Sequence, residues 1–170
     1  MGDDGSVSKT RSIGCYGGPP PDLPDPGREI WAYDGALSIL LGQLLRDVDG
    51  IPPEHRPGWW ASSVEELRTQ AMFSDLFFDV ALGLALDQRE ELAELLDDTA
   101  ARLRDRPPRT PGQADDWHLV FRGDHAYDVG PIAELGQALG ELLRGRLPEP
   151  PPGTLWLYGA PGGRTTISPR

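Results

Sequence analysis

The chain has 170 residues, of which 27 are acidic and 16 are basic, so its formal net charge is −11. This charge argues against nucleic acid as a direct ligand and against anionic membranes, because both require a basic surface. No stretch of about eighteen apolar residues is available to cross a bilayer. Cys15 is the only cysteine, which excludes an internal disulfide and predicts a reducing cytoplasm.

Proline and glycine crowd both ends of the chain. We predict a disordered N-terminal tail over residues 1–27 and a flexible C-terminal tail over residues 159–170, because such segments bury too little apolar surface to offset chain entropy. Residues 28–158 are then a single domain. Lys9 is the only lysine among the 16 basic residues, and the bias towards arginine, alanine, glycine and proline indicates GC-rich codons and a bacterial source.

The first two predicted helices follow the N-terminal tail. Residues 28–48 carry apolar side chains at spacings of three and four, which is one face of an amphipathic helix. The prolines and glycines of "DGIPPEHRPG" end that helix. Ser62 and Ser63 each have a glutamate three residues later, as in a capping box, so a second helix starts there and runs to about Leu82.

In the second half of the domain the sequence predicts two more helices and two strands. Asp87 with Glu90 opens a helix that runs to about Arg104, and residues 131–147 form the fourth. Alternating side chains predict a strand at residues 117–122, with "TLWLY" at residues 154–158 as its hairpin partner. The predicted fold class is therefore mainly α, a small bundle of about four helices with a short β-hairpin.

Two carboxylates stand in the apolar stretch "MFSDLFFDVALGLAL". Asp75 and Asp79 are four residues apart, which on a helix stacks them on one face, one turn apart. A pair of this kind can hold Mg²⁺ or accept an arginine or lysine from another protein. The two carboxylates can also lie along the solvent-exposed edge of a helix that is otherwise mostly buried. All three interpretations stay open at this stage.

Two adjacent tryptophans precede the second predicted helix. Trp59 and Trp60 follow "RPG", and two neighbouring side chains of a regular element cannot both face one core. We therefore expect at least one of them on the surface or over an end of the bundle. Tryptophan is a residue type that anchors protein interfaces, so both are candidate partner-binding residues; a lid over a small core is the alternative.

Other candidate sites carry weaker signals. A cluster of potential metal ligands comprises His118, Asp124, His125 and Asp128, but its spacing matches no established ligand pattern and suits a turn followed by a helix start. The glycine-rich "GAPGGRTT" lacks the lysine and the following helix of a phosphate loop. No serine or cysteine nucleophile is placed beside a histidine in a pattern typical of a triad.

These patterns favour a non-enzymatic, acidic protein-binding domain. We expect a basic protein as partner, bound through Trp59, Trp60, Asp75 and Asp79, as for an immunity protein, an antitoxin or a regulatory accessory protein. No cofactor is predicted. The alternative hypothesis is a small metal-dependent hydrolase or biosynthetic enzyme that uses the carboxylate pair Asp75 and Asp79 on helix two.

Overall fold

A mixed sheet packs against the helices, and this architecture replaces the predicted bundle. The structure, a computed structural model, describes residues 10–16, 29–72, 77–105 and 129–169. These residues form five strands and four α-helices, so the fold is α/β. The prediction of a mainly α bundle with one short hairpin is therefore wrong.

The five strands lie in the order β3-β1-β2-β4-β5. Their bounds are β1 (Thr10–Gly14), β2 (Glu29–Tyr33), β3 (Phe77–Asp79), β4 (Leu155–Tyr158) and β5 (Thr165–Ile167). β1 pairs antiparallel with β2 and parallel with β3; β2 pairs parallel with β4, which pairs antiparallel with β5. Two of these strands, β1 and β5, lie in segments that the sequence assigned to the terminal tails.

The strand β2 replaces the start of the first predicted helix. Ile30 and Ala32 are fully buried, whereas Glu29, Trp31 and Tyr33 are only partly buried, which is the period of two of a strand. The apolar residues that suggested a helix stripe are also β-branched or aromatic residues, which fit a pleated surface. Pairing with β1 on one side and β4 on the other satisfies the backbone and decides between the two structures.

The helices have the bounds α1 (Asp34–Asp49), α2 (Trp60–Met72), α3 (Leu86–Arg104) and α4 (Val129–Leu143), with a short 3-10 helix over Pro53–His55. α3 and α4 agree closely with the sequence prediction. The start of α3 uses a different cap from the one predicted, because the Gln88 side chain accepts a hydrogen bond of 3.0 Å from the Ala85 N–H. No described helix is long and apolar enough to cross a membrane.

Two glycines allow α4 to pack closely on its neighbours. A Cβ atom on Gly136 would lie 3.0 Å from Leu40 Cδ1 and 3.2 Å from Ala100 Cβ, so α1 and α3 both approach this position. A Cβ on Gly140 would lie 3.5 Å from the backbone oxygen of Ala93. α4 therefore packs closely on both neighbours at these positions, and α3 with α4 is the most extensive helix contact described.

The two faces of the sheet have different neighbours. The residues Ile13, Ile30 and Phe78 share one face through their register and join the main hydrophobic core with the helices. The opposite face carries Ser12 and Trp31, which are paired across β1 and β2. The described helices thus pack against one face of the sheet, as in a layered α/β arrangement.

The strand predicted at residues 154–158 is confirmed as β4, but its neighbours differ from the expected one. The partner expected for it, residues 117–122, lies outside the described residues. β4 instead pairs with β2, more than 120 residues earlier in the chain, and with β5. β4 therefore has a parallel neighbour, β2, that is distant in sequence and an antiparallel neighbour, β5, that is close in sequence, and the sequence pattern predicted neither.

Candidate functional site

Asp79 lies in a strand, not on the second helix. α2 ends at Met72, and Asp79 is the last residue of β3, so the predicted stacking of Asp75 and Asp79 on one helix is wrong. Asp75 itself lies outside the described residues. Asp79 Oδ1 accepts hydrogen bonds from the Tyr16 N–H at 3.1 Å and the Ala81 N–H at 3.0 Å. This carboxylate therefore holds the turn after β3 against the end of β1.

Trp59 and Trp60 are both buried, with 7% and 4% of their surface exposed. Trp60 begins α2 and Trp59 precedes it, so the backbone changes conformation between them and both rings turn inwards. The rings meet edge to face with centroids 5.8 Å apart, and Trp59 Nε1 donates a hydrogen bond of 2.7 Å to Glu91. Neither ring is therefore at the surface, which was one of the two positions expected for at least one of them. The partner-binding role of the pair stays a prediction.

The predicted metal ligands His118, Asp124, His125 and Asp128 all lie outside the described residues. Within the described part of the chain, no group of three or more histidine, cysteine, aspartate or glutamate side chains is arranged to hold a metal ion. The structure therefore leaves the weaker metal hypothesis untested.

A buried ion pair lies at the N-terminal end of β1. Arg11 is 1% exposed, and its guanidinium donates to the Asp34 carboxylate at the start of α1. It also donates to the side-chain oxygen and the backbone oxygen of Gln70 on α2, at 2.9 and 3.0 Å. One arginine thus ties the sheet to two helices. We call Arg11, Asp34 and Gln70 the Arg11 end of β1.

A second polar cluster, which the sequence analysis missed, occupies the other end of the same strand. Gly14 is in register with Glu29 on β2 and with Asp79 on β3, so the two acidic residues flank β1 on one face of the sheet. The Tyr16 ring lies over Gly14 and contacts the Phe77 ring, with centroids 5.2 Å apart. We call Gly14, Tyr16, Glu29, Phe77 and Asp79 the Gly14 end.

The Gly14 end carries a negative field. Burial raises the pKa of Tyr16, and the negative charges of Glu29 and Asp79 raise it further. Glu29 also accepts a hydrogen bond from the Ser12 hydroxyl. Tyr16 fell in the predicted tail and Glu29 in a predicted helix, so only the pairing of β1 with β2 and β3 brings these groups together.

The outer face of α3 is acidic. Asp87, Glu91, Glu94 and Asp98 are spaced four, three and four residues apart, which places them along one face, and all are exposed. Arg102, four residues after Asp98, binds Asp47 on α1 at 3.2 Å. No ion pair involves any of these four acidic residues within the described segments.

Arg144 neutralises a different set of acidic residues. It follows α4 and binds Glu90 at 2.9 Å, Asp97 at 2.7 Å and Glu141 at 3.3 Å. Burial lowers the pKa of Arg144, but the hydrogen bonds that its guanidinium donates to Asp97 and Glu90 outweigh burial and raise the pKa overall. This arginine therefore links α3 to α4 and stays charged.

The glycine-rich "GAPGGRTT" comprises the turn between β4 and β5 and the first two residues of β5, and it borders an open cleft of about 460 Å³. Glu134 of α4 lines this cleft and accepts a hydrogen bond of 2.9 Å from the Arg164 N–H. Arg104 also lines the cleft and donates a hydrogen bond of 2.7 Å to Gln137. A carboxylate thus takes a backbone donor that a phosphate would need, which disfavours a phosphate site.

Comparisons with known proteins leave the function to be argued from these residues, because no family model, curated protein or solved structure matches the chain.

Proposed function

We propose that this chain is a non-enzymatic, acidic domain of bacterial origin that acts in the cytoplasm by binding a basic protein, as an immunity protein, an antitoxin or a regulatory accessory protein does. One observation carries the proposal. The outer face of α3 presents Asp87, Glu91, Glu94 and Asp98 in a single exposed row, and the described residues provide no ion pair for any of them.

Three described arginines on α3 or packed against it are engaged by groups outside the row. Arg102 binds Asp47, Arg104 donates to Gln137, and Arg144 binds the acidic residues on the α4 side. The row is therefore not part of the alternating charge pattern that is typical of a merely solvated helix. Uncompensated charge of one sign steers a partner of the opposite sign and fixes its orientation.

The alternative of a metal-dependent hydrolase depended on Asp75 and Asp79 sharing one helix. Asp79 lies in β3, and its Oδ1 already accepts two backbone hydrogen bonds. No observation on the described residues favours that alternative, so we do not propose it.

The proposal is tested by neutralising the row. The variant is Asp87→Asn/Glu94→Gln/Asp98→Asn, and its matched control is Asp49→Asn/Glu54→Gln/Glu149→Gln, which removes the same charge from exposed positions elsewhere. A partner recovered from the host at low salt and identified by mass spectrometry should be basic. Its association rate should fall on the order of tenfold with the row variant and little with the control.

Salt provides a second measurement on the same complex. At about 0.5 M salt the screening length is only a few ångströms, so association with the unmodified chain should slow strongly. An acidic or neutral partner, or an association rate that is insensitive both to salt and to the row variant, would contradict the proposed function.

A further inference from the structure

The segment that joins α4 to β4 is rich in proline and reads "LPEPPPG" over residues 147–153. Each proline fixes its own φ at about −65° and holds the residue before it in an extended conformation. Together these two restrictions apply to every residue from Leu147 to Pro152. The sequence therefore favours a polyproline II helix in this segment.

The exposure of these side chains repeats every three residues. Leu147 and Pro150 are partly buried, and Leu147 packs against the main hydrophobic core. The two residues that follow each of them are exposed, namely Pro148, Glu149, Pro151 and Pro152. A polyproline II helix has three residues per turn, so this period places one of its edges against the domain and leaves two edges in solvent.

The domain holds this helix at both ends. Near its start, Trp156 Nε1 donates a hydrogen bond of 2.7 Å to the carbonyl oxygen of Pro148. At its end, the backbone N–H and the hydroxyl of Thr154 donate to the carbonyl oxygen of Pro151, at 3.1 and 2.7 Å. Gly153 has a φ of 74°, as in a type II turn, and leads the chain into β4. The segment is thus ordered before a partner binds, which lowers the entropic cost of binding.

We propose that the edge carrying Pro148 and Pro151 is an interaction surface for a protein module with an aromatic-lined groove. Segments with two prolines three residues apart dock in such grooves because their polyproline II conformation is already formed. Pro148 and Pro151 have this spacing, lie on one edge and are exposed. The surface is separate from the acidic row of α3, so this inference goes beyond the proposed function and does not depend on it.

The other explanation for these prolines is a stiff connector, and the two explanations differ in which prolines matter. Pro148→Ala/Pro151→Ala removes the exposed edge and keeps both carbonyl oxygens that hold the segment in place. Pro150→Ala loosens the same segment on the edge that faces the domain, so it is the matched control for stiffness. Pro52→Ala/Pro53→Ala removes two exposed prolines elsewhere and controls for the loss of proline itself.

The direct test is an NMR titration of the ¹⁵N-labelled full chain with an SH3, a WW and an EVH1 domain, which all bind through aromatic-lined grooves. Prolines have no N–H, so the signals to follow are the amides of Leu147, Glu149 and Gly153 and the indole of Trp156. We expect at least one domain to shift these signals, and the same domain with a groove tryptophan replaced by alanine to shift none. Shifts confined to other segments, shifts that persist with the altered groove, or no shifts with any of the domains would overturn the proposal.

The proline variants are then compared with the domain that binds. Pro148→Ala/Pro151→Ala should weaken binding on the order of tenfold, whereas Pro150→Ala and Pro52→Ala/Pro53→Ala should change it by less than about twofold. Equal weakening by Pro150→Ala would show that stiffness alone matters and would overturn the assignment. Circular dichroism verifies that each variant is folded, and Pro151→Ala alone provides the same comparison if the double variant is not.

A last variant tests whether the domain prepares the segment for binding. Trp156→Phe removes the Nε1 donor to Pro148 and keeps an aromatic ring beneath Arg164, whose guanidinium lies 4.0 Å from the ring centroid. We expect binding to weaken by roughly threefold, because part of the segment must then be ordered during association. An affinity equal to that of the unmodified chain would contradict the preorganisation from which the proposal is argued.

Discussion

At the Arg11 end of β1 a carboxylate meets an arginine of the same chain, whereas at the Gly14 end, in the described part of the chain, two carboxylates accept hydrogen bonds from neutral donors only. Arg11 is 1% exposed, and burying such a charge is costly unless it is paired. Phe77, by contrast, is 41% exposed. The two ends of the strand thus differ, because a carboxylate pairs with a buried cation at one end and carboxylates accept from neutral donors at the other.

The largest effect should come from breaking the Arg11 end. Asp34→Ala removes the carboxylate at the start of α1 to which the buried Arg11 donates, and we expect a loss of about 3 kcal/mol in the free energy of unfolding. Urea denaturation measures this loss. Glu29→Gln, at the opposite end of β1, is the control and should cost less than about 1 kcal/mol, because its partner is a neutral hydroxyl. Similar losses of stability for the two variants would show that the two ends of β1 do not differ in their contribution to folding.

A smaller effect should follow from Gly14→Ala. Displacement of the Tyr16 ring removes its contact with Phe77, and an aromatic pair of this kind contributes about 1 kcal/mol. Urea denaturation and tyrosine fluorescence together report the loss of stability and the ring movement. A fully stable variant with unchanged fluorescence would show that the ring does not lie over Gly14. Gly58→Ala should change neither signal.

Glu94→Gln extends the comparison to the other acidic residues without ion pairs. Its neighbours Glu91 and Asp98 are three and four residues away on the same face of α3, and like charges at these spacings repel. We expect the variant to gain roughly 0.5 kcal/mol in the free energy of unfolding at low salt, and less at high salt. A loss of stability would indicate that Glu94 has a cationic partner.

The smallest effect should be on the pH dependence of stability. The folded-state pKa of Tyr16 is raised by burial and then by Glu29 and Asp79, so the folded state holds this proton more tightly than the unfolded state. The resulting stabilisation is complete below pH 10 and is lost as the pH rises through the folded-state pKa. Solvent screening keeps it small, because the phenol is only partly buried.

Absorbance titration of the tyrosines, with Tyr16→Phe as reference, assigns this ionisation. Glu29→Gln should lower the pKa of Tyr16, because it removes one of the two negative charges that disfavour the phenolate. A pKa that is unchanged in this variant would show that Glu29 does not act on the phenol, and would remove the electrostatic link between the two sides of the Gly14 end.

Local patterns in the sequence were sufficient for some elements. α3 and α4 were predicted within a few residues, because helical hydrogen bonds join residues four apart and the apolar period is read directly from the chain. β4 was predicted for a similar reason, since its apolar run is short and bounded by turns. The acidic character of the outer face of α3 is likewise a property of consecutive residues.

Only the tertiary structure decided the rest. Residues 29–33 were predicted as helix and Asp79 was placed on α2, because both lie in apolar stretches that fit either period. Strand pairing settled them: β1 supplies partners to β2 and to β3, the second of which lies more than sixty residues away. The residues of the Gly14 end could not be grouped from the sequence for the same reason. A strand satisfies its backbone through residues distant in sequence, so neither its structure nor the side chains it brings together are encoded within one local window.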